Sequence, residues 1–262
     1  MGHMIAICGK GGVGKTTLAG LLARLRIDAP AGARTLVIDG DPAGGLGLAL
    51  GLTPRATLDD LRREIIAQVQ QSRPDGATLA AEADYRLLEI LEERGPVAFL
   101  SVGRPEEEGC YCKLNTFLRE AIESLCSRFD LVVVDAEAGI EQVNRRVMRS
   151  VDRLLLVSDL SVKGVRVAEA IGAVALEQGD KAIEVGLVIN RMRPDAGARG
   201  GPDLPGAPST HLPVVATLPE DPTISRHDAL ALPLWEIETC PTLEAVREQV
   251  LPWLAARYTG TR

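Results

Sequence analysis

The 262-residue chain has no long apolar run: its apolar runs, such as residues 131–134 and 154–157, are strand-sized and too short to cross a bilayer. A membrane-spanning protein is thereby excluded. Basic residues are not in excess either. Against 29 Lys and Arg stand 36 Asp and Glu, a formal net charge of −7 that opposes broad, non-specific nucleic-acid binding. The start lacks the basic region and apolar core of a secretory signal. Met1-Gly2-His3-Met4 reads instead as a cloning scar over residues 1–3 before a native Met4, so the expected location is the cytoplasm. Cysteine is scarce. Five, an odd number, argue for free thiols or metal ligation over a disulfide framework. Neither an internal repeat nor a domain linker is evident, so residues 4–262 are read as one domain, and 46% hydrophobic content suffices for a sizeable core.

What the chain does contain is a regular alternation. Residues 4–8, 34–39, 97–102, 131–135, 154–158, 185–190 and 214–218 are largely apolar and of strand length, as buried strands are. Between most of them lie apolar residues at helical spacing, for example Leu114, Phe117, Leu118, Ile122 and Leu125. This pattern predicts an α/β fold, a mostly parallel central sheet with helices on both faces. Residues 53–96 form an insertion with helices expected over 58–70 and 79–93, parted by Arg73-Pro74-Asp75-Gly76. Residues 194–210, rich in Pro, Gly and Ala, read as a surface loop.

Directly after the first strand comes Gly9-Lys10-Gly11-Gly12-Val13-Gly14-Lys15-Thr16, a complete G-x-x-x-x-G-K-[ST] run that opens the first helix. Its glycines let backbone amides turn inward around a triphosphate, Lys15 reaches the outer phosphates, and Thr16 offers a hydroxyl to magnesium. The chain is therefore expected to bind a nucleotide through Gly11, Gly12, Val13, Gly14, Lys15, Thr16 and Thr17. Asp39-Gly40-Asp41-Pro42, Asp135 and Asn190 each stand at or just past a strand's carboxyl end, where open α/β sheets bind ligands. Taken singly, such an Asp also suits a helix cap and such an Asn a turn.

Lys10 narrows the class. The run Lys10 to Thr17 resembles the deviant Walker A motif of the MinD/ParA/nitrogenase iron protein superfamily. That resemblance implies an ATPase in which the residue matching Lys10 reaches across a nucleotide-sandwich homodimer to the partner's phosphates. It further implies that Asp41 orients the attacking water, that Asp135 lies near magnesium, that Asn190 with Arg191 reads adenine, and that Pro219 and Asp221 flank the base. It spans residues 4 to about 235.

The turn Gly109-Cys110-Tyr111-Cys112 follows three glutamates and places two thiols one residue apart. Such a pair can bind a metal, act as a redox couple, or simply be packed. Two thiolates leave half of a four-coordinate zinc or nickel site unfilled. The dimer implied by the superfamily would supply the other two. Together with Asp135-Ala136-Glu137-Ala138-Gly139-Ile140-Glu141, the turn is similar to the CooC-type ATPases that mature nickel-containing carbon monoxide dehydrogenase. The implied activity is magnesium-dependent ATP hydrolysis coupled to delivery of nickel, with zinc as the other candidate, held by Cys110 and Cys112. The implied client is carbon monoxide dehydrogenase, acetyl-CoA synthase or another metalloenzyme. The chain departs from many of these relatives by carrying Gln142, then Asn144-Arg145-Arg146, after the second glutamate.

Rival classes make different demands. A membrane-cycling regulator of the MinD kind needs a basic amphipathic tail. The terminal stretch, residues 242–257, has no lysine and is interrupted by Glu244, Glu248 and Pro252, so it is expected to pack on the domain. A DNA-partitioning ATPase needs a basic stripe that the charge balance does not favour. Nitrogenase iron protein shares one cluster among four cysteines, for which ligands one residue apart are poorly placed.

Overall fold

The computed structural model describes residues 3–28, 33–72, 76–104, 122–136, 151–178, 183–193 and 209–256. Among these described residues eight strands form one sheet in the order β3-β4-β2-β5-β1-β6-β7-β8. They are β1 (His3–Gly9), β2 (Thr35–Asp39), β3 (Glu92–Arg94), β4 (Val97–Ser101), β5 (Leu131–Asp135), β6 (Arg153–Ser158), β7 (Glu184–Met192) and β8 (Val214–Pro219). All neighbours pair in parallel except β3 with β4. The expected mostly parallel α/β sheet is what the chain forms.

Both sheet faces are buried, which is why the strands read as continuous apolar runs rather than alternating ones. Along β1, Met4, Ala6 and Cys8 join one apolar cluster, while Ile5 and Ile7 join the other. The first cluster is closed by α3 (Leu58–Ser72), α4 (Gly76–Glu89), a helical stretch over 122–126 and α5 (Val162–Gln178), through Leu61, Leu87, Ile122 and Ala168. The second is closed by α1 (Lys15–Ile27), α2 (Gly45–Ala49) and the C-terminal elements. Those elements are α6 (Pro222–Ala229), a 3-10 turn (Leu234–Glu236), α7 (Pro241–Ala245), a π turn (Val246–Val250) and α8 (Leu251–Ala255).

One expectation is corrected. The helix expected over 79–93 ends at Glu89, and Glu92–Arg94 turns back as an antiparallel edge strand on β4. The cause is the two-residue turn Gly95-Pro96: Gly95 takes a φ of 58°, open to glycine at low cost, and the turn places Arg94 opposite Val97. The all-charged Glu92-Glu93-Arg94 carries no strand signal, but it suits a short edge where charge blocks further pairing.

The terminal stretch packs as expected. Leu243, Val246, Val250 and Leu254 are buried in the second cluster. Arg153, at the start of β6 and only 1% exposed, anchors the end of α8. Its guanidinium donates to Glu184 Oε2 at 2.8 Å, to the Ala256 carbonyl at 2.6 Å and to the Trp253 carbonyl, and lies 5.1 Å from the Trp253 ring centre. A buried charge is tolerable only when paired and hydrogen-bonded in this way. Among the described residues, no helix is long and apolar enough to cross a membrane.

Candidate functional site

The carboxyl ends of β1, β2 and β5 lie side by side, and the loops that follow them build one site. The loop after β1 is held open by glycine. Gly12 and Gly14 adopt φ of 77° and 98°, and a side chain on Gly14 would collide with the amide of Asn190. Gly14 precedes α1 with no side-chain cap, so the first amides of that helix have no side-chain acceptor and suit a phosphate. Lys15 folds back with Nζ 3.4 Å from the Lys10 carbonyl, and its charge bears on both Asp135 and Cys8.

Asp135, at the end of β5, is 1% exposed, and among the described residues neither of its carboxylate oxygens has a hydrogen-bond partner. Burial pushes its pKa up to about 7; the nearby Thr16 hydroxyl and Lys15 pull it down, and the charges of Asp39 and Asp41 push it further up. The Thr16 hydroxyl approaches this carboxylate without closing a well-formed bond. An orphaned, buried carboxylate is costly unless something binds it. Magnesium suits this donor set of hard oxygens, with the Thr16 hydroxyl and the Asp135 carboxylate as the groups that would hold it and screen phosphate charge.

The two aspartates after β2 do different work. Asp39 is fully buried and accepts from the amides of Leu46, at 3.0 Å, and Gly47, at 3.2 Å, thereby capping α2. Burial raises its pKa, opposed by those amides and by that of Asp41. Asp41 is partly exposed. Its Oδ1 accepts from the Ala43 amide at 2.8 Å, closing a turn in which the Gly44 amide donates to the Asp41 carbonyl at 2.9 Å. The Gly40 amide donates to the Asp135 carbonyl at 2.9 Å, and a Cβ on Gly40 would come within 2.8 Å of that oxygen, so the two strand ends are closely joined. The sequence reading placed Asp39 in a motif but missed its capping role; a buried acid just before a Gly-rich helix start is the signal that could have found it.

On the far side, Asn190 donates to the Val13 carbonyl at 2.8 Å, and Arg191 is exposed with a left-handed φ of 57° at an irregularity between β7 and β8. The Asp221 side chain has both oxygens engaged, accepting from Thr223 N at 2.8 Å and Thr242 N at 3.0 Å, while the Pro219 carbonyl accepts from the Thr242 hydroxyl at 2.9 Å. Burial would raise the Asp221 pKa, but the amides of Thr242 and Thr223 and the Cys240 thiol outweigh it and leave it lowered. Asp221 is thus the N-cap of α6 and a tie to α7, leaving main chain rather than carboxylate to face a base. Lys10 and Thr17 are partly exposed, and Gly11 is exposed. Cys110, Cys112 and residues 137–150 lie outside the described residues. The cysteines that are described, Cys8, Cys126 and Cys240, are buried and free, and burial pushes their thiols up to about 12, 12 and 11.

A glycine-cradled loop between strand and helix, with an unpartnered acid at a neighbouring strand end, defines a P-loop nucleotide-binding protein. Residues 4–234 match the CobQ/CobB/MinD/ParA nucleotide binding domain, and the chain belongs to that family as a MinD/ParA-type ATPase. It is 32% identical over 255 residues to an uncharacterized ATP-binding protein of Methanocaldococcus jannaschii, covering 95% of this chain and 98% of the relative. It is also 29% identical over 211 residues to the carbon monoxide dehydrogenase accessory protein CooC of Rhodospirillum rubrum, covering 71% of this chain and 78% of that protein. In fold it is similar to the septum site-determining protein MinD of Pyrococcus horikoshii complexed with Mg-ADP, with a TM-score of 0.64 at 22% identity, covering 98% of this chain and all of that one.

Proposed function

We propose that the protein is an ATP-driven metal-delivery protein. Two protomers close on ATP and magnesium, Cys110 and Cys112 of each supply four thiolates to one nickel ion, and turnover of the nucleotide is coupled to its transfer to a carbon monoxide dehydrogenase-like or acetyl-CoA synthase-like enzyme. Lys15 neutralises the phosphates in cis and Lys10 those of the partner. Asp41 orients the attacking water, Asn190 and Arg191 meet adenine, and Pro219 and Asp221 shape the far wall of the base pocket. The cytoplasm is the compartment in which such a protein would meet its nucleotide and its client.

The observation that carries the metal role is the contrast among the cysteines. Cys8, Cys126 and Cys240 are sealed in the cores as neutral thiols and so are poor ligands, which leaves Cys110 and Cys112, one residue apart in a Gly-Cys-x-Cys sequence that resembles that of CooC-type ATPases, as the candidate pair. The likeness to CooC over most of this chain supports the same reading. A regulatory or partitioning ATPase without metal is the second reading, favoured by the likeness of the fold to MinD. The docked terminal stretch, with Leu243, Val246 and Val250 fully buried, weighs against a membrane-cycling version of it.

Equilibrium dialysis with nickel and with zinc, on wild type, Cys110→Ser and Cys112→Ser, tests the proposal. One metal per two protomers is expected, bound weakly or not at all by either variant and more weakly as pH falls, because the thiols must lose protons to ligate. A stoichiometry of one metal per protomer, or undiminished affinity in both variants, rejects it.

A further inference from the structure

Among the described residues β8 is an edge strand, so its outward-facing main chain has no neighbouring strand to pair with. The C-terminal stretch takes that place at every second residue. Gln249 accepts from the Thr217 amide through Oε1 at 2.9 Å and donates through Nε2 to the Thr217 carbonyl at 3.5 Å. Thr242 then donates its hydroxyl to the Pro219 carbonyl at 2.9 Å and its amide to Asp221 Oδ2 at 3.0 Å. On the inner side, the Glu220 amide donates to the Met192 carbonyl at 2.8 Å.

Thr242 acts from a fixed base. It is 4% exposed and lies in the first turn of α7, where the Cys240 Sγ caps the Leu243 amide at 3.4 Å and Leu243 is fully buried. The groups around its two contacts are spent. Pro219 has no amide, and the Asp221 carbonyl accepts from the Ser225 amide at 3.0 Å and the Ser225 hydroxyl at 3.1 Å. What is left is the peptide that joins Glu220 to Asp221, whose carbonyl and amide make no hydrogen bond among the described residues. Thr242 grips the chain on both sides of that peptide.

We propose that Thr242 is a positioning residue for the nucleotide: by holding the Pro219 carbonyl and the Asp221 carboxylate together, it fixes the peptide between Glu220 and Asp221 in the orientation that meets the base. The proposal rests on the reading that Pro219 and Asp221 flank the base. A peptide already held in place binds without the cost of ordering it, so the C-terminal stretch contributes to nucleotide affinity and does more than cover the core.

The test compares the full chain as wild type, Thr242→Val, Thr242→Ala, Thr242→Ser and Gln249→Ala, by calorimetric titration with ATP and with inorganic tripolyphosphate. Thr242→Val and Thr242→Ala both remove the hydroxyl and keep the amide; either one, if folded, suffices. Each should weaken ATP about fivefold and leave tripolyphosphate within about twofold, while Thr242→Ser, which keeps the donor, should bind both as wild type does. Gln249→Ala removes the neighbouring brace at Thr217 and should lower thermal stability without changing the ratio of the two affinities. Equal losses for both ligands in the Thr242 variants, no loss for either, or the same ratio change in Gln249→Ala would mean that Thr242 only holds the fold, and the proposal falls while the base-site reading stands. A wild type that binds ATP no more tightly than tripolyphosphate removes the base site itself, and the proposal with it.

Discussion

The side-chain amide of Asn190, at the end region of β7, donates to the main-chain carbonyl of Val13 within the phosphate loop at 2.8 Å, across 177 residues of sequence. The phosphate loop is thus braced by a side chain from β7. Gly14 must lack a side chain because that amide occupies the space a Cβ would need. Asn190→Ala is therefore expected to weaken inorganic tripolyphosphate on the order of fivefold, because losing the brace loosens the loop for any phosphate ligand, and to weaken ATP more than that, because the proposed contact to adenine is lost as well. Calorimetric titration of both ligands decides it. A loss confined to ATP would return Asn190 to base reading alone.

Lys15→Ala should abolish measurable ATP binding, whereas Lys10→Ala should bind ATP near normally and fail to hydrolyse it. Lys15 lies inside the loop against its carbonyls, while Lys10 is partly exposed and close enough to Asp159 to help lower that acid's pKa, after the Ser161 hydroxyl. Light scattering with a non-hydrolysable analogue reads dimer closure. Unchanged dimerisation and turnover in the Lys10 variant rejects the sandwich arrangement.

Asp41→Asn is a clean probe of chemistry because asparagine keeps the oxygen that accepts from the Ala43 amide, so the turn should survive. What disappears is the carboxylate charge. Turnover should fall at least about a hundredfold with ATP affinity within about threefold, as expected for a group that acts in the transition state more than in the ground state. Collapse of affinity with normal turnover per bound nucleotide would make Asp41 a binding residue.

Much of this was legible in the sequence because it depends on local pattern. Each expected strand is present, since a strand buried on both faces must be apolar throughout, and the phosphate loop announces itself by glycine spacing and a following helix. What was not legible depends on partners far along the chain. Glu92–Arg94 looks like a helix continuing until Gly95 reverses it. Asp221 looks like an acid beside a base pocket until the Thr242 amide, 21 residues later, takes one of its oxygens. Arg153 looks like a surface residue at a strand start until the carbonyls of Trp253 and Ala256 close over it.

The nucleotide-free protein should lose stability as pH rises between about 5 and 8. The Asp135 carboxyl has a folded-state pKa raised to about 7, well above its unfolded value, so its neutral form is preferred only in the folded state. The associated stability is complete below the unfolded pKa and is lost as pH climbs through the folded one, on the order of 2 kcal/mol across this window. Asp135→Asn, always neutral, should show little of this slope. Magnesium with nucleotide should offset it in wild type by favouring the charged carboxylate. Urea denaturation at pH 5.5 and 8 measures all three, and equal slopes in wild type and variant would refute the assignment.

The terminal stretch gives the test that separates metal delivery from membrane cycling. Release of residues 241–256 on ATP binding would expose Leu243, Val246, Val250 and Leu254 to water and leave Trp235, Cys240 and Leu218 of the second cluster partly uncovered. At about 25 cal/mol per Å² of apolar surface, four such side chains cost roughly 6 to 10 kcal/mol, comparable to the whole stability of a domain. The Arg153 guanidinium would also lose two carbonyl partners while remaining in the sheet. Nucleotide binding therefore should not free this segment. Hydrogen exchange in residues 243–254 is expected to remain slow with and without ATP, and sedimentation with anionic vesicles to be negligible in both states. Arg153→Met should destabilise the fold by about 3 kcal/mol or less, because methionine restores apolar packing but leaves the Glu184 carboxylate and the terminal carbonyls without their donor. If ATP deprotects the segment and drives the protein onto vesicles, the terminal stretch is a membrane anchor and the regulatory reading displaces metal delivery.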